Sequence, residues 1–223
     1  MVKEPQYMEL HDTKYAYYPE FTCKAIHEKI EMRLQEAIEL EQIQLFLQPR
    51  VGLNTGTVCA AEALVRWQWA DGHWSLPAQF LPVLEQENLV PRLDQYMLEQ
   101  TAQLLQQWER QYQRQPYRIK PPIPIAVNLS TATVEQPDFV EQIKQIVCNY
   151  QLRPEQIELE LTEHRVAKKE ESVRKALCIL QQEGFTLCLD DFGTGNSSLA
   201  TLLTLPVPVV KLDQQFLNMD FSI

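Results

Sequence analysis

Basic residues are few in this chain. Lys and Arg number 20 against 30 Asp and Glu, a formal net charge of −10. Duplex nucleic acid needs a basic footprint, so the balance argues against it as a partner. It leaves room for a small anionic ligand held by metal ions. Cysteine spacing of the metal-binding kind is missing too. The five cysteines (Cys23, Cys59, Cys148, Cys178, Cys188) are odd in number and include no Cys-X-X-Cys. Three of them sit in apolar runs, which predicts reduced, mostly buried thiols in a cytoplasmic protein. No apolar stretch approaches the ~18 residues of a membrane span. Met1–Glu9 has no secretory-leader pattern. No membrane contact is expected from this chain. His11, His27, His73 and His164 show no pairing suited to a metal or to catalysis, and His164 reads as a solvated loop residue. Ser-His-Asp arrangements are absent as well.

What remains is ordinary globular composition, with 45% hydrophobic and 22% charged residues in a chain of 223. That length suits one large domain or two small ones. Its informative feature is a repeated chemistry. Cys59–Ala61 runs into Glu62, Ile123–Val127 into Asn128, and Ile157–Leu159 into Glu160. Phe185–Leu189 runs into Asp190 and Asp191, and Val209–Val210 into Lys211. Apolar runs of strand length, each ending in an acid, an amide or a lysine, alternate with helix-like segments. Strand–helix repeats make parallel strands whose C-terminal ends share one face, the chemical face of an α/β barrel.

The elements follow from periodicity and turn residues. Residues 1–23 read as a linker or tail, and 24–223 as one domain. Ile26, Ile30, Leu34, Ala37 and Ile38 predict an amphipathic helix over Lys24–Leu40. Gln44–Val51 and Thr57–Trp67, joined by Asn54-Thr55-Gly56, are too close for a crossover helix and predict a hairpin. Helices are predicted over Pro77–Glu87, Val90–Arg114, Phe139–Tyr150, Lys169–Glu183 (closed by Gly184) and Ser198–Leu205. The strand count is six, two short of a closed (β/α)₈ barrel.

Glu62, Asn128, Glu160 and Asp190 are hard oxygen donors, a set for Mg²⁺ or Mn²⁺ rather than zinc. Asp191 beside Asp190 would let the pair serve two ions, the usual clamp on a phosphodiester. Lys211 would orient or activate a water and offset phosphate charge. Arg66 is a candidate phosphate contact. The glycine-containing stretch Asp191–Ser198 reads as a loop over the site, and Glu163 as a residue that steadies it. Trp67, Trp69 and Trp74 read as core or rim packing. Singly, each strand-end residue has a bland reading as a cap, a turn or a surface charge. Glu160 inside an apolar strand and the adjacent Asp190-Asp191 resist that reading, because unpaired charges there are costly.

At this point the chain resembles a known family, the EAL-domain phosphodiesterases of bacterial cyclic di-GMP signalling. Glu62-Ala63-Leu64-Val65-Arg66-Trp67 resembles the name-giving motif. Gln48-Pro49, Asn128-Leu129-Ser130, Glu160-Leu161-Thr162-Glu163, Asp190 to Gly195 and Lys211-Leu212-Asp213 resemble its further motifs, in the family's order. The match runs from about Ala37 to Phe216. The resemblance implies a TIM-type barrel that hydrolyses cyclic di-GMP to linear pGpG with Mg²⁺ or Mn²⁺. It implies metal binding by Glu62, Asn128, Glu160, Asp190 and Asp191, water positioning by Lys211, loop stabilisation by Glu163 and ligand contacts by Gln48 and Arg66. His11–Ile38 resembles the end of a GGDEF domain with its connecting helix.

The chain also departs from the family. Asn196 stands where Tyr is common, and Gln214-Gln215 where Arg-Ser is frequent. Two further strands, one with a Glu-Gly-Val-Glu motif and one with a pocket glutamine, are expected beyond Ile223. The sequence therefore predicts an incomplete barrel, weak or no turnover by this chain, and, from the open edge, either self-association (a homodimer or a larger assembly) or poor stability. The rival reading is an inactive EAL module that binds cyclic di-GMP or a protein partner. An unrelated metal-dependent barrel hydrolase would fit the chemistry but not the motifs.

Overall fold

A computed structural model of the chain describes residues 23–162, 171–192 and 206–212. Helix α1 (Cys23–Glu39) leads into β1 (Ile43–Val51) and β2 (Val58–Gln68). These two pair antiparallel, with Gln48 opposite Glu62. The expected hairpin is therefore present. A two-residue strand β3 (Trp74–Ser75) adds to the far end of β2. Next come α2 (Pro77–Gln86), α3 (Val90–Arg114), β4 (Ile125–Asn128), α4 (Thr131–Val134) and α5 (Phe139–Asn149). A 3₁₀ turn at Pro154–Gln156 precedes β5 (Ile157–Thr162), α6 (Glu171–Gln182), β6 (Thr186–Phe192) and β7 (Val209–Leu212). The sheet order is β1-β2-β4-β5-β6-β7, and β2 onward is parallel. Among the described residues the sheet does not close. It has seven strands where the sequence suggests six, and the extra one is β3, too short to leave a periodic signal.

Strand alternation places the core. Ile125, Val127, Ile157, Leu159, Leu161, Leu187 and Leu189 are all at most 1% exposed and face the helical layer. They meet Leu93, Leu105, Phe139, Ile143, Leu177 and Leu180. Burying each such side chain contributes about 1.5–3 kcal/mol before entropy is counted. The alternate residues of these strands, Asn128, Glu160 and Asp190, carry the chemistry, joined by Glu62 from β2 and Lys211 from β7. One period of two thus builds both core and site. The tryptophans pack as expected. Trp67 is buried, stacks on Trp69 at 4.9 Å and meets Phe80 edge-on at 5.5 Å.

The cysteines differ from expectation. The four described are free, yet only Cys188 is buried, and Cys59 and Cys148 are exposed. Cys148 lies on the side of α5 turned away from Phe139, Ile143, Ile146 and Val147, which a short apolar run does not reveal. Burial pushes the Cys188 thiol up to about 12, with the Glu160 charge adding to the shift, so it stays protonated.

The segment after β4 is clamped by α3. Asp94, buried on α3, accepts from the Ser130 backbone N–H at 2.8 Å and from Thr133 Oγ1 at 2.5 Å. Ser130 in turn caps α4 by accepting from the Thr133 N–H. This fixes the chain two residues beyond Asn128. Replacing Asp94 by Ala would strand a buried donor, so the variant should lose about 2–3 kcal/mol in chemical denaturation. An unchanged midpoint would show that the clamp carries no stability.

Candidate metal centre

Five of the nine residues singled out from the sequence converge. Glu62 comes from the middle of β2, Asn128 from the end of β4, Glu160 from β5, Asp190 from β6 and Lys211 from β7. Asn128 Nδ2 donates to Glu62 Oε1 at 3.0 Å. Lys211 Nζ sits among the acids, 2.7 Å from Glu62 Oε2, 3.0 Å from Glu160 Oε2 and 3.3 Å from Asp190 Oδ2. Glu62, Glu160 and Asp190 each offer a carboxylate oxygen, and the three lie within 4.8 Å of one another. The donor set is all oxygen, of the kind that suits a hard divalent cation, and Lys211 Nζ lies against the same three carboxylates.

The electrostatics of this group are under tension. Glu160 is fully buried. Burial raises its pKa above the usual carboxylate range. Lys211 pulls it down, and the neighbouring Glu62 and Asp190 charges push it further up. Burial disfavours the charge on Lys211 as well. The hydrogen bonds to Glu62 and Glu160 and the Asp190 charge outweigh that and hold its pKa above the ordinary lysine range. Lys211 is therefore an ammonium at neutral pH, a donor and not a proton acceptor.

Asp190 and Asp191 occupy a break in the β6–β7 ladder. Leu189 pairs with Val210 and Phe192 with Leu212, so two acids stand opposite the single Lys211. Such a bulge re-aims side chains. Asp191 takes a left-handed backbone, φ 54°, and its N–H donates to Asp190 Oδ1 at 2.9 Å. Its side chain is exposed at the rim and does not join the three-carboxylate group.

Gln48 is exposed directly opposite Glu62 in the hairpin. Arg66 is half-buried, donates to the Val65 carbonyl at 2.8 Å, and lies 6.0 Å from the Phe46 ring centre. Both share the sheet face of Glu62, since directly paired and alternate residues point the same way. Neither touches the acids. Glu163 and the glycines of the expected loop lie outside the described residues.

The sequence reading missed one pair. Arg50 on β1 bonds to Glu158 on β5 and lies 3.5 Å from Glu160 Oε1. The signal was Glu158 alternating with Glu160 inside an apolar strand. Two inward acids require a cation, and Arg50 is in phase with Gln48.

Comparison with known proteins agrees with this geometry. A probable cyclic di-GMP phosphodiesterase, PdeB of Escherichia coli K12, is 34% identical over 186 residues, covering 83% of this chain and 34% of that protein. The chain thus spans about a third of that relative's length. The solved PaMucR phosphodiesterase in complex with c-di-GMP superposes with a TM-score of 0.73 at 29% identity, over 85% of this chain and 74% of that one. The EAL enzyme Bd1971, in its cAMP-bound form, superposes at 0.77 with 26% identity, over 89% and 54%. The EAL domain model matches residues 31–222, which include every acid of the cluster and the lysine at its centre, and the chain belongs to the EAL domain family.

Proposed function

We propose that this chain carries a phosphodiesterase site for cyclic di-GMP that works with Mg²⁺ or Mn²⁺ and yields linear pGpG. The convergence of Glu62, Glu160 and Asp190 on one point, with Lys211 among them, carries the reading. The names of the PdeB relative and the PaMucR complex support the substrate. Glu62, Asn128, Glu160 and Asp190 would hold the ion, and Asp191 at the rim would serve a second. A bound divalent ion supplies positive charge to the phosphate oxygens and lowers the pKa of a coordinated water.

The chain's own groups do the rest. Asn128 fixes Glu62 by donating to one of its oxygens. Lys211, held as an ammonium, donates hydrogen bonds and offsets charge as water adds to phosphorus and the phosphodiester P–O bond breaks. Gln48 and Arg66, on the Glu62 face, would contact the dinucleotide. The test is incubation with cyclic di-GMP and Mn²⁺, with products separated by chromatography and Glu62→Ala run beside it. Slow appearance of pGpG, and only with the unchanged chain, is the expected result. Tight binding of cyclic di-GMP without cleavage by folded protein would leave a binding module instead.

A further inference from the structure

We propose that Arg50 is a positioning residue for the metal centre, fixing Glu160 from behind while Glu158 anchors Arg50 itself. The inference rests on the metal reading above. Glu160 has no exposed surface, and its two oxygens face different cations. Oε2 meets Lys211 at 3.0 Å, on the side where Glu62 and Asp190 converge. Oε1 meets Arg50 NH1 at 3.5 Å. The other terminal nitrogen of Arg50 is bonded to Glu158. A planar guanidinium offers its donors in a rigid fork, which suits it to hold two carboxylates at a fixed separation. Both partners are sheltered, Arg50 at 24% and Glu158 at 12% side-chain exposure.

The backbone supports the assignment. The hairpin ladder slips beside this residue: Arg50 pairs with Ala60 and Val51 with Val58, so Cys59 bulges out. Bulges beside sites commonly re-aim a side chain. Arg50 reaches from β1 to β5, past β2 and β4, which lie between them in the sheet. The inward residues it passes on those strands, Ala60 and Ala126, are small and buried. Four interior carboxylates (Glu62, Glu158, Glu160, Asp190) thus face two cations, Arg50 and Lys211. Two negative charges are left over, the charge of one divalent ion.

Removing Arg50 alone would change both charge and position. The informative variant is therefore the charge-neutral double replacement Arg50→Met with Glu158→Met, compared with Arg50→Lys and the unchanged chain. Mn²⁺ binding would be titrated by electron paramagnetic resonance, with a thermal melt for each protein. We expect the double variant to melt cooperatively and to bind Mn²⁺ about tenfold more weakly, the lower end of what residues behind metal ligands usually contribute. Arg50→Lys keeps the charge but puts one nitrogen on a shorter side chain where Arg50 uses two, so it should also bind more weakly. If the double variant does not fold, Arg50→Lys carries the test alone. Affinity equal to the unchanged chain in the folded double variant, or in Arg50→Lys, would overturn the positioning role and leave Arg50 as a partner for Glu158 only. Absence of Mn²⁺ binding by the unchanged chain would instead sink the metal reading, and this inference with it.

Discussion

Glu160→Gln should abolish most activity while leaving the fold intact. The side chain keeps its shape and loses its charge. One of the three convergent carboxylates of the proposed site is neutralised, so Mn²⁺-dependent cleavage should fall about 10²- to 10³-fold, the usual loss when a charge-stabilising group is removed. The stability effect has the opposite character. Burial raises the Glu160 pKa in the folded chain. A carboxyl with a raised folded-state pKa stabilises the fold at pH below its unfolded value, and that contribution is lost as pH rises through the folded value. Where it is ionised, Glu160 is thus a burden on the metal-free protein. The Gln variant escapes it. Its stability relative to the unchanged chain should rise with pH across the acid-to-neutral range. Denaturation curves at several pH values, beside turnover, check both halves. A variant that is both inactive and much less stable at pH 7 would mean that Glu160 is chiefly a structural ion-pair partner.

Lys211→Met should separate stability from metal affinity. Its ammonium holds Glu62, Glu160 and Asp190 together by three short contacts and is only a quarter exposed. Removing it leaves three facing acids without their common counter-charge, at a cost of about 3 kcal/mol to the metal-free fold. The same oxygens then lose a competitor for a cation, so Mn²⁺ should bind more tightly and raise the melting temperature further than in the unchanged chain. Turnover at the proposed site should nevertheless fall by about 10²-fold, because the ammonium that offsets charge among the acids is gone. The pH arm follows from the raised Lys211 pKa. The stability it confers is complete below the ordinary lysine range and is lost as pH rises through the raised value. The Met variant should lack that alkaline step. Weaker Mn²⁺ binding by the variant would show that Lys211 supports the ion instead of rivalling it.

The residues brought together by strand phase were legible from the chain alone. Glu62, Asn128, Glu160, Asp190 and Lys211 each end or interrupt an apolar run of strand length, and parallel pairing did the rest. Arg50 and Glu158 were not, because their contact spans 108 residues and depends on a long side chain crossing the interior. Periodicity orders residues along a strand and carries no information about reach across a barrel. The Asp190–Asp191 bulge was hidden for a related reason. Two adjacent acids in a run look like an ordinary strand end until the partner strand shows one residue where they have two. Likewise α4 and β3 hold four and two residues, fewer than a full period can report.

The contacts of Lys211 span 51 residues to Glu160 and 149 to Glu62. Contacts so distant along the chain form late, after local helices and hairpins, because their loop closures are entropically expensive. Until β7 docks, the acids of β2, β5 and β6 confront one another with no ammonium between them. Arrival of β7 is then an electrostatic latch on the folding route. Before β7 docks, Arg50 on β1 stands alone among the described residues against the four inward acids Glu62, Glu158, Glu160 and Asp190.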